Sequence, residues 1–206
     1  MAGDETSAFM PKPRAWQRML SGRRLDLLNP APQDIEIEDI AHGLARVARW
    51  NGQTVGTHAF SVAQHALVVE AIFSGLAPES APKWRLAALL HDAPEYVIGD
   101  LISPFKAAVG LNYKAFEIRL LEAIHRRFGL PSTLPSEITA GIKQADAVAA
   151  YYEATRLAGF SLDEGKTYFG EPKGLPSELV VQLEDLSAWP TSTAQHEFVA
   201  RFRSLA

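Results

Sequence analysis

Apolar residues recur at spacings of three and four along most of the chain, which is the period of an amphipathic helix. No run of useful length alternates between apolar and polar residues, as a half-buried strand would. We therefore expect an all-α protein. The predicted helices cover residues 35–52, 62–75, 81–95, 113–128, 136–157 and 194–205.

Glycine and proline residues separate these helices from segments that we expect to be irregular. Residues 1–34 are polar at the start, contain Pro30 and Pro32, and are predicted to form an arm that wraps onto the body. Residues 159–178 contain four glycines and two prolines and are predicted to be a loop. The pattern thus predicts a single helical-bundle domain over residues 35–206, with an irregular N-terminal arm over residues 1–34.

Two residues predict how helices begin and end near charged positions. Ser61 stands where its side-chain oxygen can cap the N-terminus of the second helix. Pro94 lacks an amide hydrogen and clashes with the preceding turn, so it should distort the third helix just after His91 and Asp92.

The composition limits the chemistry that the chain can carry. With 206 residues, of which 47% are hydrophobic, the chain is long enough for one full core. It has no cysteine, which excludes a disulfide framework, a thiolate metal site and a cysteine nucleophile. Any metal site must therefore use histidine and carboxylate side chains.

Charge and hydropathy argue against two classes of partner. The formal net charge of -4 at pH 7 gives no overall attraction to a nucleic acid polymer or to an anionic membrane. The first residues lack the basic start and apolar stretch of a secretory signal, and no window approaches the roughly 20 apolar residues of a membrane span. We therefore expect a soluble, cytoplasmic protein.

Four side chains are candidates for one metal site: His65, His91, Asp92 and Asp146. Each lies among apolar neighbours on a predicted helix, where an unpaired polar group costs free energy and an unpaired charge costs more. His91 and Asp92 point about 100° apart on a straight helix, so both reach one ion only if it lies between them. A shared cation would satisfy all four, but a core histidine is also satisfied in other ways, and spacing alone leaves both explanations open.

Three segments of the chain carry motifs in a fixed order. They are SVAQH at residues 61–65, HDAPEYVIGDLISPFK at residues 91–106 and QADA at residues 144–147. Together they resemble the HD-domain metal-dependent phosphohydrolases, most closely the 5'-deoxynucleotidase YfbR group, over residues 35–157. The resemblance implies an all-helical HD domain whose helices converge on one divalent ion. It implies four metal ligands, which are His65, His91, Asp92 and Asp146.

The implied cofactor is one divalent cation, because imidazole and carboxylate ligands suit Mn, Co, Fe, Zn, Ni or Mg, with Mn or Co favoured. The resemblance also implies roles for five residues around it. Glu95 corresponds to an acidic residue near the metal and is the candidate general acid or base. Asp100 corresponds to a second acidic position near the substrate, and Lys106 to a basic position that meets phosphate. Arg49 and Trp50 correspond to a pair that lines the nucleotide pocket, although packing and solvation remain alternatives for all but Glu95.

The implied reaction is metal-assisted hydrolysis of a nucleotide phosphate ester, above all release of the 5'-phosphate from deoxynucleoside monophosphates. Tripolyphosphate release from deoxynucleoside triphosphates is an alternative, and a non-catalytic nucleotide-binding sensor is an alternative of a different class. Guanosine tetraphosphate hydrolysis is disfavoured because Tyr96 follows Glu95 where those enzymes have aspartate, and cyclic-dinucleotide cleavage because a Gly-Tyr-Pro motif is missing. The resemblance also suggests a homodimer.

The remaining histidines need no functional explanation. His42, His125 and His196 stand beside charged residues on predicted amphipathic helices, so we expect them to be exposed. His58 precedes Ser61 and is expected in a loop, where it is a weak candidate for a substrate contact.

Overall fold

The computed structural model describes residues 15–100 and 113–206, and within these ranges the chain is predominantly helical. The helices are α1 (Ile37–Leu44), α2 (Val62–Leu76), α3 (Pro82–Leu89), α4 (Glu95–Ile98), α5 (Tyr113–Arg127), α6 (Ser136–Arg156), α7 (Leu162–Phe169), α8 (Ser177–Glu184) and α9 (Thr191–Leu205). The predicted all-α class is confirmed. In the described ranges, no helix combines the length and apolar character needed to cross a membrane.

Helix α2 is the centre of the core and packs against α3, α6 and α9. Ser61 caps α2 as predicted, because its Oγ accepts a hydrogen bond from the amide of Gln64 at 3.3 Å. Apolar residues lie on several sides of α2, and the buried ones are Val62, Ala63, Ala66, Val69, Ile72 and Phe73. A helix that is enclosed by others in this way can hold a polar side chain away from solvent.

The segment between α3 and α4 differs from the prediction. The predicted third helix was to run through His91 and Asp92, but α3 ends at Leu89, and residues 91–94 form hydrogen-bonded turns before α4. The amide of Glu95 donates to the carbonyl of Asp92 at 3.0 Å. Pro94 has no amide hydrogen for the carbonyl of Leu90 four residues earlier, and its ring crowds that carbonyl, so the helix breaks ahead of the His-Asp pair rather than just after it.

Helix α1 ends earlier than predicted, and the loop after it is held to the start of α2 by backbone hydrogen bonds. It stops at Leu44, and residues 49–52 form a short 3-10 turn. The amide of Arg49 donates to the carbonyl of Phe60 at 2.8 Å, and the amide of Val62 donates to that of Val47 at 3.0 Å. These bonds fix Arg49 beside the first turn of α2.

Helix α4 lies directly on α1 at a glycine. A Cβ atom on Gly43 would lie 2.8 Å from the Cβ atom of Tyr96, which is too close for any side chain. Only glycine therefore permits this approach. The contact fixes the position of α4 and of Glu95 at its start.

The described part of the N-terminal arm contains a short hairpin that the sequence pattern did not predict. Strand β1 (Trp16–Arg18) pairs antiparallel with strand β2 (Arg24–Asp26). Leu25 is buried in the core, and Ser21 donates from its amide and its hydroxyl to Asp39, at 2.9 and 2.5 Å. These contacts attach the arm to α1, as expected for a segment that wraps onto the body.

The prediction of a loop over residues 159–178 is wrong, because this segment contains α7 and the start of α8. Ser161 and Glu164 form a capping box at the start of α7, with the amide of Ser161 donating to Glu164 at 2.8 Å. A Cβ atom on Gly165 would lie 2.5 Å from Thr155 on α6. Gly165 therefore serves close packing between two helices and not flexibility.

The expectation that His125 is exposed is also wrong. Its side chain lies in α5 and is 2% exposed. The chain reverses immediately after this helix, where the amide of Leu130 donates to the carbonyl of His125 at 2.8 Å, so the helix end is enclosed. His196 is exposed as expected, and His58 lies outside the helices and strands, as expected for a loop residue. His42, which was also expected to be exposed, is half-buried.

Candidate metal centre

Four polar side chains from three parts of the chain meet beside α2. His65 Nε2 lies 3.4 Å from Asp92 Oδ2 and 3.3 Å from Asp146 Oδ1. His91 Nε2 lies 3.2 Å from Asp92 Oδ2. One ligand atom from each of His65, His91 and Asp146 lies within 4.8 Å of the other two. The fold thus brings together all four residues that the sequence analysis named as metal ligands.

The hydrogen bonds of both imidazoles leave the same nitrogen facing the cluster. His91 Nδ1 lies 2.9 Å from the carbonyl oxygen of Ala88, which can only accept, so this nitrogen carries the proton. His65 Nδ1 lies 2.5 Å from Glu153 Oε1 and likewise donates to it. Both Nε2 atoms are buried and have no hydrogen-bond partner among the described residues. This is how metal-binding histidines are held, with the distal nitrogen fixed by an acceptor and the other free to ligate.

The electrostatic environment favours a cation at this point. His65 and His91 hold the pKa of Asp92 well below its usual range although burial opposes this, and the pKa of Asp146 is lowered mainly by His65. Burial and Arg49 lower the pKa of His65, but Glu153, Asp146 and Asp92 outweigh them and raise it well above its usual value. The carboxylates therefore draw positive charge to Nε2, where a proton and a metal ion would compete.

The cluster is closed on one side and open on the other. The side chains of Glu153 and His65 are 0% exposed, those of His91 and Asp92 are 11% and 21% exposed, and that of Asp146 is 43% exposed. Solvent thus reaches the cluster from the Asp146 side, while the bond between His65 and Glu153 is shielded from water. An entry path and an inner polar support are both features of a usable metal site.

Glu153 is a site residue that the sequence analysis missed. It lies two turns after Asp146 on α6, on the same face of the helix. Its Oε1 accepts from His65, and its Oε2 accepts from Trp50 Nε1 at 2.9 Å and from Arg49 Nε and Nη2, both at 3.3 Å. Burial opposes its charge, but Arg49 and His65 lower the pKa of Glu153 to about 2.

Arg49 and Trp50, predicted to line a substrate pocket, lie against this cluster. Arg49 Nη1 is 3.8 Å from both Asp92 Oδ2 and Asp100 Oδ2. Trp50 has a φ angle of 56°, a left-handed conformation that costs a bulky residue about 1–3 kcal/mol. The indole is held in place by Glu153 and by an edge contact with the Phe160 ring, whose centroid is 5.7 Å away. Backbone strain that the surroundings maintain in this way is concentrated at functional sites in proteins.

The two predicted acidic residues lie near the same cluster. Glu95, at the start of α4, is 2% exposed. Burial, reinforced by the charges of Asp92 and Asp100, raises the pKa of Glu95 to about 9. The carboxylate of Asp100 faces Arg49 at 3.8 Å. Lys106 lies outside the described residues.

The residues present fit a divalent cation of the first transition series. Two imidazole Nε2 atoms, once deprotonated, and two ionised carboxylates form a mixed nitrogen and oxygen donor set, which suits Mn, Co, Fe or Zn. Carboxylates in excess of their cationic partners are costly in a buried cluster, and a divalent ion would balance them.

Comparisons with known proteins identify a relative of this chain but indicate no activity for it. No protein-family model matches the chain. The chain is similar to an uncharacterized protein of Rhodobacter capsulatus, with 56% identity over 193 residues that cover 91% of this chain and 97% of that protein. The similarity spans nearly the full length of both chains.

Proposed function

We propose that this chain, which belongs to the same family as the Rhodobacter capsulatus protein, is an HD-domain phosphohydrolase that depends on a divalent metal. Its proposed substrate is a deoxynucleoside 5'-monophosphate, and its proposed compartment is the cytoplasm, where such nucleotides occur. The observation that carries the proposal is the pair of buried Nε2 atoms on His65 and His91 that face the carboxylates of Asp92 and Asp146. The motif resemblance supports the choice of phosphate-ester hydrolysis over other metal chemistry.

The proposed mechanism assigns the proton to Glu95. When bound, the divalent cation would supply Lewis acidity and make a water molecule more acidic at neutral pH. Burial raises the pKa of Glu95 to about 9, so its carboxyl holds a proton at neutral pH while no cation is near. Positive charge in the cluster lowers that pKa, which lets the carboxylate take a proton from the attacking water and return it to the leaving oxygen.

Arg49, Trp50 and Asp100 are proposed to position the substrate. Two guanidinium nitrogens of Arg49 are already bonded to Glu153, so Nη1 is the edge that remains near the metal ligands. A phosphate there would receive a charge-assisted hydrogen bond. The indole of Trp50 offers an apolar face for the sugar or base, and Asp100 would accept from a sugar hydroxyl. Lys106 is proposed to balance the remaining phosphate charge.

The test is product release from a panel of nucleoside mono- and triphosphates, given Mn2+ or Co2+ and compared with a chelator control. Wild-type protein is expected to release inorganic phosphate from deoxynucleoside monophosphates only in the presence of metal. Glu95→Gln is expected to lower the rate by about 10²–10⁴-fold, the usual size of a general acid-base contribution. Glu178→Gln on the exposed face of α8 makes the same chemical change away from the cluster and should leave the rate unchanged.

The outcomes separate this proposal from its alternatives. Tripolyphosphate as the product would replace it with deoxynucleoside triphosphate hydrolysis. Tight nucleotide binding without any product would favour a sensor. Metal-dependent activity that survives Glu95→Gln at the wild-type rate would refute the assignment of the proton to Glu95.

A further inference from the structure

Glu153 is a fully buried carboxylate whose two oxygens bind residues with different proposed roles. Oε1 accepts from His65 Nδ1, whose ring carries a candidate metal ligand on its other side. Oε2 accepts from Trp50 Nε1 and from Arg49, the residues proposed to hold the substrate. One buried carboxylate therefore touches both the proposed metal centre and the proposed substrate pocket.

A carboxylate is rigid and planar, so its two oxygens cannot move independently. A cation on His65 Nε2 would withdraw electrons from the ring and make Nδ1–H a stronger donor, so that Oε1, already 2.5 Å away, would be held more firmly. Any rotation of the carboxylate also shifts Oε2, which is the acceptor that orients the Trp50 indole and the Arg49 guanidinium. Because the Glu153 carboxylate is fully buried, water cannot replace the hydrogen bond at either oxygen, so a change at one oxygen is passed to the other.

We propose that Glu153 is a positioning residue that couples cation binding at His65 to the orientation of Trp50 and Arg49. The inference rests on the proposed function for its metal and its substrate, but it concerns the communication between their sites. Filling the metal centre would set the Trp50 indole and the Arg49 edge for a nucleotide phosphate. Nucleotide binding would strengthen cation binding in return, since coupling between two sites is reciprocal.

The first measurement is cation affinity, followed through the visible absorption of Co2+ titrated into the protein. Glu153→Gln keeps the side-chain size but removes the charge that orients and polarises His65, so Co2+ affinity should fall about 10–100-fold. The matched control is Glu70→Gln, a second buried glutamate that bonds an arginine, Arg201, away from the cluster. It should bind Co2+ with wild-type affinity. Wild-type affinity in Glu153→Gln would overturn the inference.

The second measurement reads the substrate side without any turnover. The chain has four tryptophans, so the emission of Trp50 is obtained as the difference between wild-type protein and Trp50→Phe. Zn2+ is used because its filled d shell does not quench fluorescence. Saturating Zn2+ should change the Trp50 emission in wild-type protein and in Glu70→Gln, and this change should shrink in Glu153→Gln. An unchanged Trp50 emission in wild-type protein at saturation would refute the coupling even if Glu153→Gln does not fold.

A conservative variant distinguishes charge from mere packing. Glu153→Asp retains the carboxylate but shortens its reach, so part of the Co2+ affinity should return while the Trp50 emission change stays reduced. Glu153→Asp that resembles Glu153→Gln in both readouts would show that charge alone does not carry the effect and would count against the proposal. Failure of the proposed function alone looks different, because the wild-type protein then binds Co2+ and shows the Trp50 emission change with Zn2+ but hydrolyses no nucleotide.

Discussion

Two buried glutamates in this molecule each bind an arginine, yet their surroundings differ. Glu70 on α2 accepts from Arg201 Nε and Nη2, both at 2.7 Å, and from Ser74 Oγ at 2.7 Å. Glu153 on α6 accepts from Arg49 at a longer 3.3 Å, and also from Trp50 and His65. The first is a short, bidentate ion pair. The second is a shared acceptor for three different side chains.

The two glutamates differ in whether the residues bonded to them also contact further charged groups. Arg201 reaches toward solvent, with a side chain that is 36% exposed, and its pair with Glu70 is complete by itself. The partners of Glu153 present further polar atoms to Asp92 and Asp146, namely His65 Nε2 and Arg49 Nη1. A closed ion pair supports the fold, whereas the open cluster holds more negative charge than the described residues around it balance. We infer that the open cluster is where a ligand contributes stability.

The largest expected effect is on the open cluster and concerns cation binding. Asp146→Asn removes the most accessible carboxylate among the proposed ligands. Co2+ affinity should fall by more than about 100-fold, which is the largest loss typical for changing a residue that only supports a ligand. In wild-type protein, Co2+ at 100 times its Kd should stabilise the fold by about 2.7 kcal/mol, seen as a higher melting temperature. The variant should lose this rise, and Asp185→Asn, an exposed position after α8, should keep it. A full thermal rise in Asp146→Asn would contradict the comparison.

An intermediate effect is expected on the closed pair and concerns stability alone. Glu70→Gln weakens the bidentate pair and should lower the free energy of unfolding by about 1–3 kcal/mol, measured by urea denaturation. Replacing both partners, as Glu70→Leu with Arg201→Met, should cost less than the single change because no charge is left unpaired. A double variant that is less stable than Glu70→Gln would argue against treating the pair as self-contained.

The smallest effect is expected at His125, a buried polar residue that belongs to neither region. Burial lowers the pKa of His125 below its usual 6.5, although Pro131, Ser132 and Glu122 partly oppose this. The unfolded chain therefore binds a proton that the folded chain rejects, and stability falls as the pH drops below about 6.5. His125→Leu should show a smaller loss of melting temperature than wild-type protein between about pH 7.5 and about pH 5. Equal losses would indicate that this imidazole stays accessible to protons.

The sequence predicted the elements with strong local signals. Ser61 and the apolar run after it located α2, and the long periodic stretch after Ser136 located α6. The metal candidates His65 and Asp146 were recognised because polar residues among apolar neighbours need a partner. Their convergence in the fold agrees with that reasoning, while the identity of the partner stays a prediction.

Other features depended on contacts that a sequence does not display. Glu153 looks like an ordinary helix glutamate, and the one signal that could have indicated a shared role is its position two turns after Asp146 on the same face of α6. Gly165 is one of the four glycines that predict a loop over residues 159–178, whereas in the structure it allows α7 to approach Thr155 closely. His125 was expected at the surface because charged residues flank it, but the chain reversal after α5 buries it. In each case tertiary packing decided the outcome.

The graded exposure of the cluster also sets the order in which an ion would exchange. Asp146, with a side chain that is 43% exposed, is the first ligand that an arriving cation meets, and fully buried His65 is the last. A departing ion would break these contacts in the reverse sequence, with its innermost bond breaking first while the outer carboxylate still holds it. Capture would begin at the open rim and would be completed only when the ion displaces the proton that the surrounding carboxylates favour on His65, so metal uptake would depend on pH.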